Sequence, residues 1–283
     1  MPRPKPTPRA RALAEGLRVE RRAARLAMTE VADKLAWSQS TISRIETGVR
    51  PPSAEEVSAL LAVYQVTGEH RDALLTLSRD IDRPNWLETR DAGVYGQAKI
   101  LAHYELDATK IIESCTVLLP VLMQTPSYAR AALAVTGVPA AEIESWLELR
   151  RERQKVLELK NPPKLVAYID EGALHRQIGG PRVLGNQLRH LVSMAGRPAV
   201  DLRVVPFSAG WHPGVHVLLE FGDAKPMVYL EYRRSGLFLH RPADVEPYLQ
   251  STVDAVALDP VRSVRLIESV VEARAQRGDL LSQ

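Results

Sequence analysis

The segment from residue 26 to residue 50 constrains the fold of this chain more than any other part of the sequence. It reads LAMTEVADKLAWSQSTISRIETGVR, and its apolar residues recur at helical spacing in two short blocks. The small Ala32 allows the blocks to pack closely, and Gly48 supplies a stop after the second. The pattern predicts two short helices joined by a tight turn, with Thr29 and Ser38 as their hydroxyl N-caps.

The second predicted helix, from about residue 39 to residue 47, has two different faces. Ile42 and Ile45 are spaced to face inward. The other face carries amide, hydroxyl and guanidinium groups, from Gln39, Ser40, Ser43 and Arg44. Taken alone, such a face is more often a solvated surface than a binding surface. Because these groups also read base edges and bind phosphates, and because the surrounding pattern is long, the segment indicates DNA binding.

A carboxylate lies within the apolar positions of the same helix. Glu46 follows Ile45 directly, and an unpaired carboxylate there would carry a desolvation cost. Arg21, on the preceding predicted helix, is suitably placed in the sequence to be its partner. We therefore expect Arg21 and Glu46 to form a structural ion pair.

Over about residues 9–78 the sequence resembles the xenobiotic-response-element family of helix-turn-helix regulators, which have the fold of phage repressors. The resemblance implies a buried pair at Arg21 and Glu46. It also implies base-reading positions at Gln39, Ser40 and Arg44, and phosphate contacts near Thr29, Ser38 and Ser43. Arg50 completes the predicted DNA-binding set. One such helix reads only a few base pairs, so we expect a homodimer on double-stranded DNA.

The charge distribution agrees with this prediction. Residues 1–78 contain 12 Lys+Arg and 9 Asp+Glu, whereas residues 79–283 contain 25 of each. The entire formal net charge of +3 therefore belongs to the first segment. A basic arm, residues 1–8, precedes the first helix; it either attracts DNA phosphates or is only a proline-rich tail.

Composition excludes several classes of protein. No run approaches the roughly 18 apolar residues of a membrane span. The basic N-terminus lacks the apolar region of a secretory signal, and the single Cys115 cannot form an intramolecular disulfide. We expect a cytoplasmic protein that is nucleoid-associated when bound to DNA.

The periodicity along the chain predicts two domains. An all-α, five-helix helix-turn-helix domain occupies residues 9–78, and a polar linker occupies residues 79–93. Residues 94–277 mix helix and strand patterns and predict an α+β (mixed α/β) regulatory and dimerisation domain with a largely antiparallel sheet. Strands are expected at about 165–169, 200–205, 215–221, 227–232 and 237–240, and closing helices at 242–256 and 260–276. Residues 111–119 are expected to form a strand, or a helix followed by a strand.

Ordered short strings in residues 95–270 carry a second resemblance. They are residues 119–125, 128–131, 153–154, 170–171, 173–174, 179–181, 187–188, 204–206 and 229–231. They resemble the C-terminal domain, of unknown function, of actinobacterial Scr-type, antitoxin-like regulators. That family reads Pro-Gly-Leu-Leu-Gln-Thr where this chain has Val121 and Met123, which predicts a different turn after Pro120. The resemblance implies a small regulatory partner protein.

Catalytic and metal-binding alternatives are less favoured. Asp170 and Glu171 follow a predicted strand, where paired carboxylates can act as acid and base, but Asp170 there is more often a helix cap. Three histidines, His212, His216 and His240, are candidate metal ligands. A Pro-Gly pair between the first two interrupts any helix that would place both on one face. We expect no enzyme activity, no metal and no cofactor.

A ligand-sensing pocket remains open as an alternative to a protein partner. Aromatic and polar side chains that could line such a site, or belong to the core and its rim, are Tyr168, Trp211, His212 and Tyr229. The sequence does not separate small-molecule sensing from recognition of a protein partner.

Overall fold

The structure is a computed structural model that describes residues 6–83, 86–88, 94–222, 224–232 and 235–276. The chain divides into two compact units, residues 1–100 and 101–283. The division falls within a helix, Val94–Asp107, a little after the predicted linker. Part of that linker, residues 84–85 and 89–93, lies outside the described residues, as do residues 1–5 of the predicted arm.

Residues 6–83 contain the five α-helices that the sequence predicted. Their bounds are Pro8–Ala23 (α1), Met28–Leu35 (α2), Gln39–Glu46 (α3), Ala54–Val63 (α4) and Gly68–Arg79 (α5). One face of each helix is apolar, and these faces form a single core that includes Leu13, Leu17, Val31, Ile42, Ile45, Val57, Leu60, Leu61 and Leu74. The all-α prediction for this unit is therefore confirmed.

The N-termini of α2 and α3 are marked by side chains that accept hydrogen bonds from backbone N–H groups. Ser38 Oγ accepts from Thr41 N at 3.1 Å and caps α3, as predicted. The prediction for Thr29 was wrong, because α2 and its N-cap lie two residues earlier than an N-cap at Thr29 requires. Its N-cap is Ala27, whose backbone N–H donates to Glu30 Oε2 at 2.6 Å. The start of α2 is therefore marked by a glutamate that binds the backbone of its N-cap residue, and the N-cap itself has no capping hydroxyl.

The turn between α2 and α3 is held by a residue in the left-handed region. Ala36 closes α2 with φ 53° and ψ 38°, a conformation that is unfavourable for residues with a Cβ atom. Its N–H donates to Asp33 O at 3.3 Å, and Trp37 N donates to Ala32 O at 2.9 Å. The tight turn that orients α3 therefore stores local strain.

Ala36→Gly should stabilise the protein by about 0.5–1 kcal/mol, because glycine adopts a positive φ without steric cost. Ala59→Gly, in the interior of α4, should destabilise it by a similar amount and is the matched control. Chemical denaturation of both variants checks this. A midpoint lowered by Ala36→Gly would contradict the strain argument.

A short strand, Trp86–Glu88 (β1), lies within the predicted linker, and the helix Val94–Asp107 (α6) follows. The strands of the second unit are Lys110–Cys115 (β2), Lys164–Asp170 (β3), Val200–Val205 (β4), His216–Glu220 (β5), Met227–Tyr232 (β6) and Ser235–Leu239 (β7). Its helices after α6 are Pro126–Val135 (α7), Ile143–Gln154 (α8), Gly180–Ala195 (α9), Pro242–Leu249 (α10), Val253–Val256 (α11) and Pro260–Gln276 (α12).

The six strands β2–β7 form one mixed sheet in the order β7-β6-β5-β2-β3-β4. The pairs β7–β6, β6–β5 and β5–β2 are antiparallel, whereas β2–β3 and β3–β4 are parallel. The predicted α+β class with a largely antiparallel sheet is confirmed. Helices α7, α8 and α9 occur within the long connections that parallel strands require.

Two predicted elements of this unit end earlier than expected. Strand β2 ends at Cys115, four residues before its predicted end. The predicted helix 242–256 is divided into α10 and α11, because the chain leaves the helix after Leu249. Ser251 Oγ accepts from Val253 N at 3.4 Å, and such a local side-chain bond competes with a continuous helix.

The register of the strands assigns side chains to two faces of the sheet. Ile112 is the register partner of Val166 and of Leu218, so these three share one face, which α10 and α11 partly cover. Ile111 and Leu165 share the opposite face, where both are fully buried. This alternation determines which candidate residues of the second unit can meet.

Among the described helices, none combines the length and the apolar composition needed to cross a membrane.

Candidate nucleic-acid interface

Helix α3 presents a polar face outward and buries an apolar one. Ile42 is fully buried and Ile45 nearly so, whereas Ser40 and Arg44 are exposed. Ser43 is half-buried on the same outward side. Packing of the buried apolar side orients the helix. Its hydroxyl and guanidinium groups are thereby placed on the side that can contact another molecule.

Hydroxyl groups cluster at the N-terminus of α3. Ser38 Oγ lies 3.0 Å from Ser40 Oγ and 2.9 Å from Thr41 Oγ1, and Ser38 and Ser40 are exposed. Gln39, the first residue of the helix, is exposed beside them. Backbone N–H groups and hydroxyls at a helix N-terminus are suited to binding phosphate oxygens.

Arg44 is available for an intermolecular contact. Its side chain is exposed and makes no hydrogen bond or ion pair with any residue that the structure describes. Thr47, which the sequence analysis did not include, is exposed one turn after Ser43 and donates through Oγ1 to Ser43 O at 2.7 Å. Thr47 lies four residues after Ser43 and three after Arg44, so it shares their side of a helix, and this spacing could have identified it from the sequence.

Two other predicted DNA contacts have different surroundings. Thr29 is exposed in the first turn of α2. Arg50, in the connection after α3, is half-buried, and its Nη2 donates to Glu56 Oε1 at 2.5 Å. Arg50 would therefore have to share its guanidinium between this carboxylate and a phosphate.

Arg21 and Glu46 lie together in the structure as a buried, bidentate pair. Arg21 Nε donates to Glu46 Oε1 at 2.7 Å, and Nη2 donates to Oε2 at 2.8 Å. The remaining Nη1 donates to Leu26 O at 2.7 Å. The hydrogen bond to Glu46 raises the pKa of Arg21, and burial followed by the Glu46 charge raises the pKa of Tyr64, whose hydroxyl lies 3.5 Å from Glu46. The pair links α1 to α3 and so fixes the orientation of the exposed face.

The four residues considered for a ligand or partner site are not brought together. Tyr168 and Tyr229 are both buried, but the strand register puts them on opposite faces of the sheet. Tyr168 donates to Asp254 Oδ1 at 2.5 Å, and Tyr229 packs on Phe238 with ring centroids 4.7 Å apart. Tyr229 therefore belongs to the core.

Trp211 and His212 lie in the connection between β4 and β5. Trp211 is 49% exposed, and His212 Nδ1 accepts from Gly214 N at 3.1 Å. Burial lowers the pKa of His212. The same connection exposes two further apolar side chains that sequence reasoning did not select, Phe207 and Val215, at 65% and 49%.

The paired carboxylates that suggested acid–base chemistry bind backbone amides instead. Asp170 Oδ1 accepts from Gly172 N at 2.8 Å and caps the short 3-10 helix Glu171–Leu174. Glu171 Oε2 accepts from Phe207 N at 2.8 Å. Across the residues that the structure describes, no three His, Cys, Asp or Glu side chains are grouped to hold a metal ion.

Two glutamine side chains, one buried and one half-buried, anchor residues 119–125, the first of the family-like strings. Gln187 Nε2 donates to Met123 O at 2.7 Å, and Thr125 N donates to Gln187 Oε1 at 2.6 Å. Gln154 Nε2 donates to two more carbonyl oxygens of the segment, at 3.0 and 2.8 Å. Three of the strings thus meet in one structural contact.

A buried carboxylate completes this anchor. Glu113 Oε1 accepts from Val121 N at 2.7 Å, whereas Oε2 has no hydrogen-bond partner among the described residues. Burial raises the pKa of Glu113 to about 7, although the Val121 amide and the Arg153 charge act in the opposite direction. Arg153 itself forms a buried bidentate pair with Glu105, at 2.9 and 2.7 Å.

The raised pKa of Glu113 predicts a pH-dependent stability. Its carboxyl is more easily ionised in the unfolded chain, so stability is lost as the pH rises from about 4.5 through about 7. Glu113→Gln keeps an acceptor for Val121 N and should gain stability relative to the wild type between pH 5 and pH 8, by on the order of 1 kcal/mol. The exposed Glu148→Gln is the control, and denaturation midpoints at several pH values are the measurement; a pH-independent difference would contradict the assignment.

A groove lies on the face of the sheet that α10 and α11 partly cover. Its volume is about 190 Å³, and its floor consists of Ile112, Val166 and Leu218. Its walls carry polar and charged side chains from four strands and from the α10–α11 segment, including Lys110, Lys164, Tyr168, Asp201, Arg203, His216, Glu220, Tyr248, Ser251 and Asp254. Of the four residues considered from sequence, only Tyr168 lines this groove.

The comparisons with known families agree with this architecture. Residues 12–74 match the family described as a helix-turn-helix domain, which contains α2, α3 and the exposed polar face. With that geometry, the N-terminal unit defines the chain as a helix-turn-helix protein of the DNA-binding regulator class.

Residues 99–269, more than half of the chain, match the family described as a domain of unknown function (DUF5753). The chain belongs to the DUF5753 family and carries a helix-turn-helix domain at its N-terminus. No curated protein sequence matches it.

Proposed function

We propose that this protein is a sequence-specific, homodimeric transcriptional regulator of the xenobiotic-response-element type, acting on double-stranded DNA in the cytoplasm. The observation that carries the proposal is the exposed polar face of α3, with an unpaired Arg44, held in place by the buried Arg21–Glu46 pair. Arg44 makes no side-chain contact within the described residues, so its guanidinium is available to bind a base edge in the major groove.

The positions on α3 suggest a division of roles. Arg44 and Gln39 have the donor groups that read bases, and Ser40 lies between them on the exposed side. The hydroxyl cluster at Ser38, together with Ser43, suits phosphate contacts that set the register of the protein on DNA. Thr29 and Arg50 would bind the flanking phosphates.

Gel shifts with genomic fragments, including the protein's own promoter, test DNA binding. We expect a fragment with a twofold-symmetric site to bind at least 100-fold better than bulk DNA, consistent with the usual ratio of specific to non-specific affinity of about 10³–10⁷. Equal affinity for every fragment at moderate salt would overturn the proposal. Light scattering of the bound and free protein tests the dimer.

We further propose that the DUF5753 unit is a non-catalytic regulatory domain of the antitoxin-like type that binds a small partner protein. Its candidate catalytic carboxylates are occupied by backbone amides. The β4–β5 connection exposes Phe207, Trp211 and Val215. Aromatic side chains such as the first two are enriched where proteins bind each other.

Purification of the full chain from its native host tests the partner. We expect a stoichiometric small protein that changes the gel shift and is lost when Phe207 and Trp211 are both replaced by serine. Val261→Ser, which changes a side chain that is 60% exposed on α12, is the control. A chain that returns alone with unchanged DNA binding would contradict this part of the proposal.

Ligand sensing is the second candidate function, and the groove between the sheet and the α10–α11 segment is the observation that favours it. A ligand there would contact residues of β2–β5 and of the covering segment together, and could stabilise one arrangement of the cover.

A further inference from the structure

We infer that the groove binds a small amphipathic anion: a single-ring or short-chain molecule that carries one carboxylate or a similar acid group. The acid group would lie between Lys110 and Lys164, and the apolar body would lie on Ile112, Val166 and Leu218. This inference rests on the ligand-sensing candidate and names the chemical class of its ligand; binding in the groove does not require DNA.

The size of the groove limits the ligand. Engineered cavities of about 150 Å³ bind benzene, so a groove of about 190 Å³ takes one ring with a short side chain, or a chain of similar volume. Polar side chains lie at both ends of the apolar floor, and they differ between the two ends. Lys110 and Lys164 precede it by two residues on β2 and β3, and Tyr168 and Arg203 lie at its far end.

The charged walls favour an anion because the carboxylates already have close donors. Arg203 binds Asp201 through two hydrogen bonds, at 2.9 and 3.2 Å. Glu220 accepts from Lys110 Nζ at 2.9 Å. The third carboxylate, Asp254, accepts from the Tyr168 hydroxyl at 2.5 Å. A cationic ligand would therefore meet carboxylates whose negative charge is already partly compensated by these donors.

The lysines, by contrast, have donors to spare. Lys164 Nζ comes no closer than 3.8 Å to Asp201, whose oxygens Arg203 already occupies. An ammonium group has three donors, and Lys110 uses one of them on Glu220. Lys110 and Lys164 are also register partners on adjacent parallel strands, and like charges placed opposite each other are unfavourable. An acid group between them would relieve this repulsion.

A buried histidine adds a polar group beneath the cover. His216 is 4% exposed and lines the groove. Its ring meets the ring of Tyr248 edge to face, with centroids 5.0 Å apart. This imidazole is a polar group to which a polar atom on the ligand body would hydrogen-bond.

The covering segment is attached to the sheet by polar contacts that a ligand would meet. Asp254 accepts from Tyr168, and Arg203 Nη1 lies 3.3 Å from the same carboxylate. These contacts close the groove at the end away from the lysines. A ligand would thus enter by the Lys110 and Lys164 end, with its acid group last.

Calorimetric titration of the full chain with 4-phenylbutyrate tests the inference, with the neutral 4-phenylbutyramide and the cationic 4-phenylbutylamine as matched probes. We expect the acid to bind at least about tenfold more tightly than the amide, and the amine to bind least. Lys164→Met should weaken the acid about tenfold and leave the amide unchanged, and Lys160→Met, at an exposed lysine outside the groove, should change neither.

Ile112→Phe should abolish binding of all three probes by filling the floor, and circular dichroism with the thermal midpoint shows that this variant is folded. Absence of acid binding at millimolar concentration, equal binding of acid and amine, or an unchanged acid affinity in Lys164→Met would each overturn the inference. The gel shift tests DNA binding independently of this site. If the protein binds the acid but no operator, the inference stands and the proposed DNA function is overturned.

Discussion

Glu46→Ala should destabilise the protein by about 3–5 kcal/mol, the usual consequence of removing one member of a buried pair. The variant leaves the Arg21 guanidinium, which is 8% exposed, with only the Leu26 carbonyl as a close acceptor in place of its two bonds to Glu46. Because the pair connects α1 with α3, the loss should appear in the unfolding of the N-terminal unit and should also weaken DNA binding.

Denaturant unfolding followed by hydrogen exchange of α1 and α3 measures this change. Glu69→Ala, an exposed glutamate in α5 of the same unit, is the matched control and should change stability by less than about 0.5 kcal/mol. The double variant Arg21→Met with Glu46→Leu should be more stable than Glu46→Ala, because it buries two apolar side chains and leaves no unpaired buried charge. An unchanged midpoint in Glu46→Ala would show that the pair contributes nothing to folding.

Arg44→Ala should reduce discrimination at one base pair of the operator by about 1–3 kcal/mol, the range for a bidentate arginine–guanine contact. The side chain is exposed on the outward face of α3 and has no partner among the described residues, so its removal should not affect folding. Binding to the operator should weaken, whereas binding to an operator already changed at that base pair should not.

Affinities for the operator and for each single-base variant, at one salt concentration, test this assignment. Arg79→Ala, at an exposed arginine in the last turn of α5, removes the same charge from the same unit and is the control. A uniform loss of affinity for all sequences, accompanied by a salt dependence reduced by about one charge, would instead identify Arg44 as a phosphate contact.

The N-terminal unit was largely predictable because its determinants are local. Helical spacing of apolar residues, Ser38 before α3 and Gly48 after it identify the recognition helix within a few residues of its bounds. The Arg21–Glu46 contact could be anticipated because a carboxylate among apolar neighbours needs a partner. The cap of α2 could not, since Glu30 binds the backbone N–H of Ala27 and the helix begins at Met28, before Thr29.

The binding surfaces of the second unit were not predictable to the same degree. The sequence indicates the strands, the antiparallel meander at β5–β7 and the α+β class, and those are properties of short periodic segments. It does not indicate that β2 pairs with β3 and β5, because such pairings join residues about 50 to 110 positions apart. The group of Tyr168, Trp211, His212 and Tyr229 was selected by residue type alone, and the sheet separates its members.

The sequence by itself therefore determined the helix-turn-helix unit, the outward groups of α3 and the class of the second unit, because period and capping act between neighbours in the chain. The tertiary structure alone decided that Lys110, Lys164 and His216 share one groove and that Tyr229 lies in the core. Strand register assigns each side chain to one face of the sheet, and a shift of a single residue would exchange the two faces.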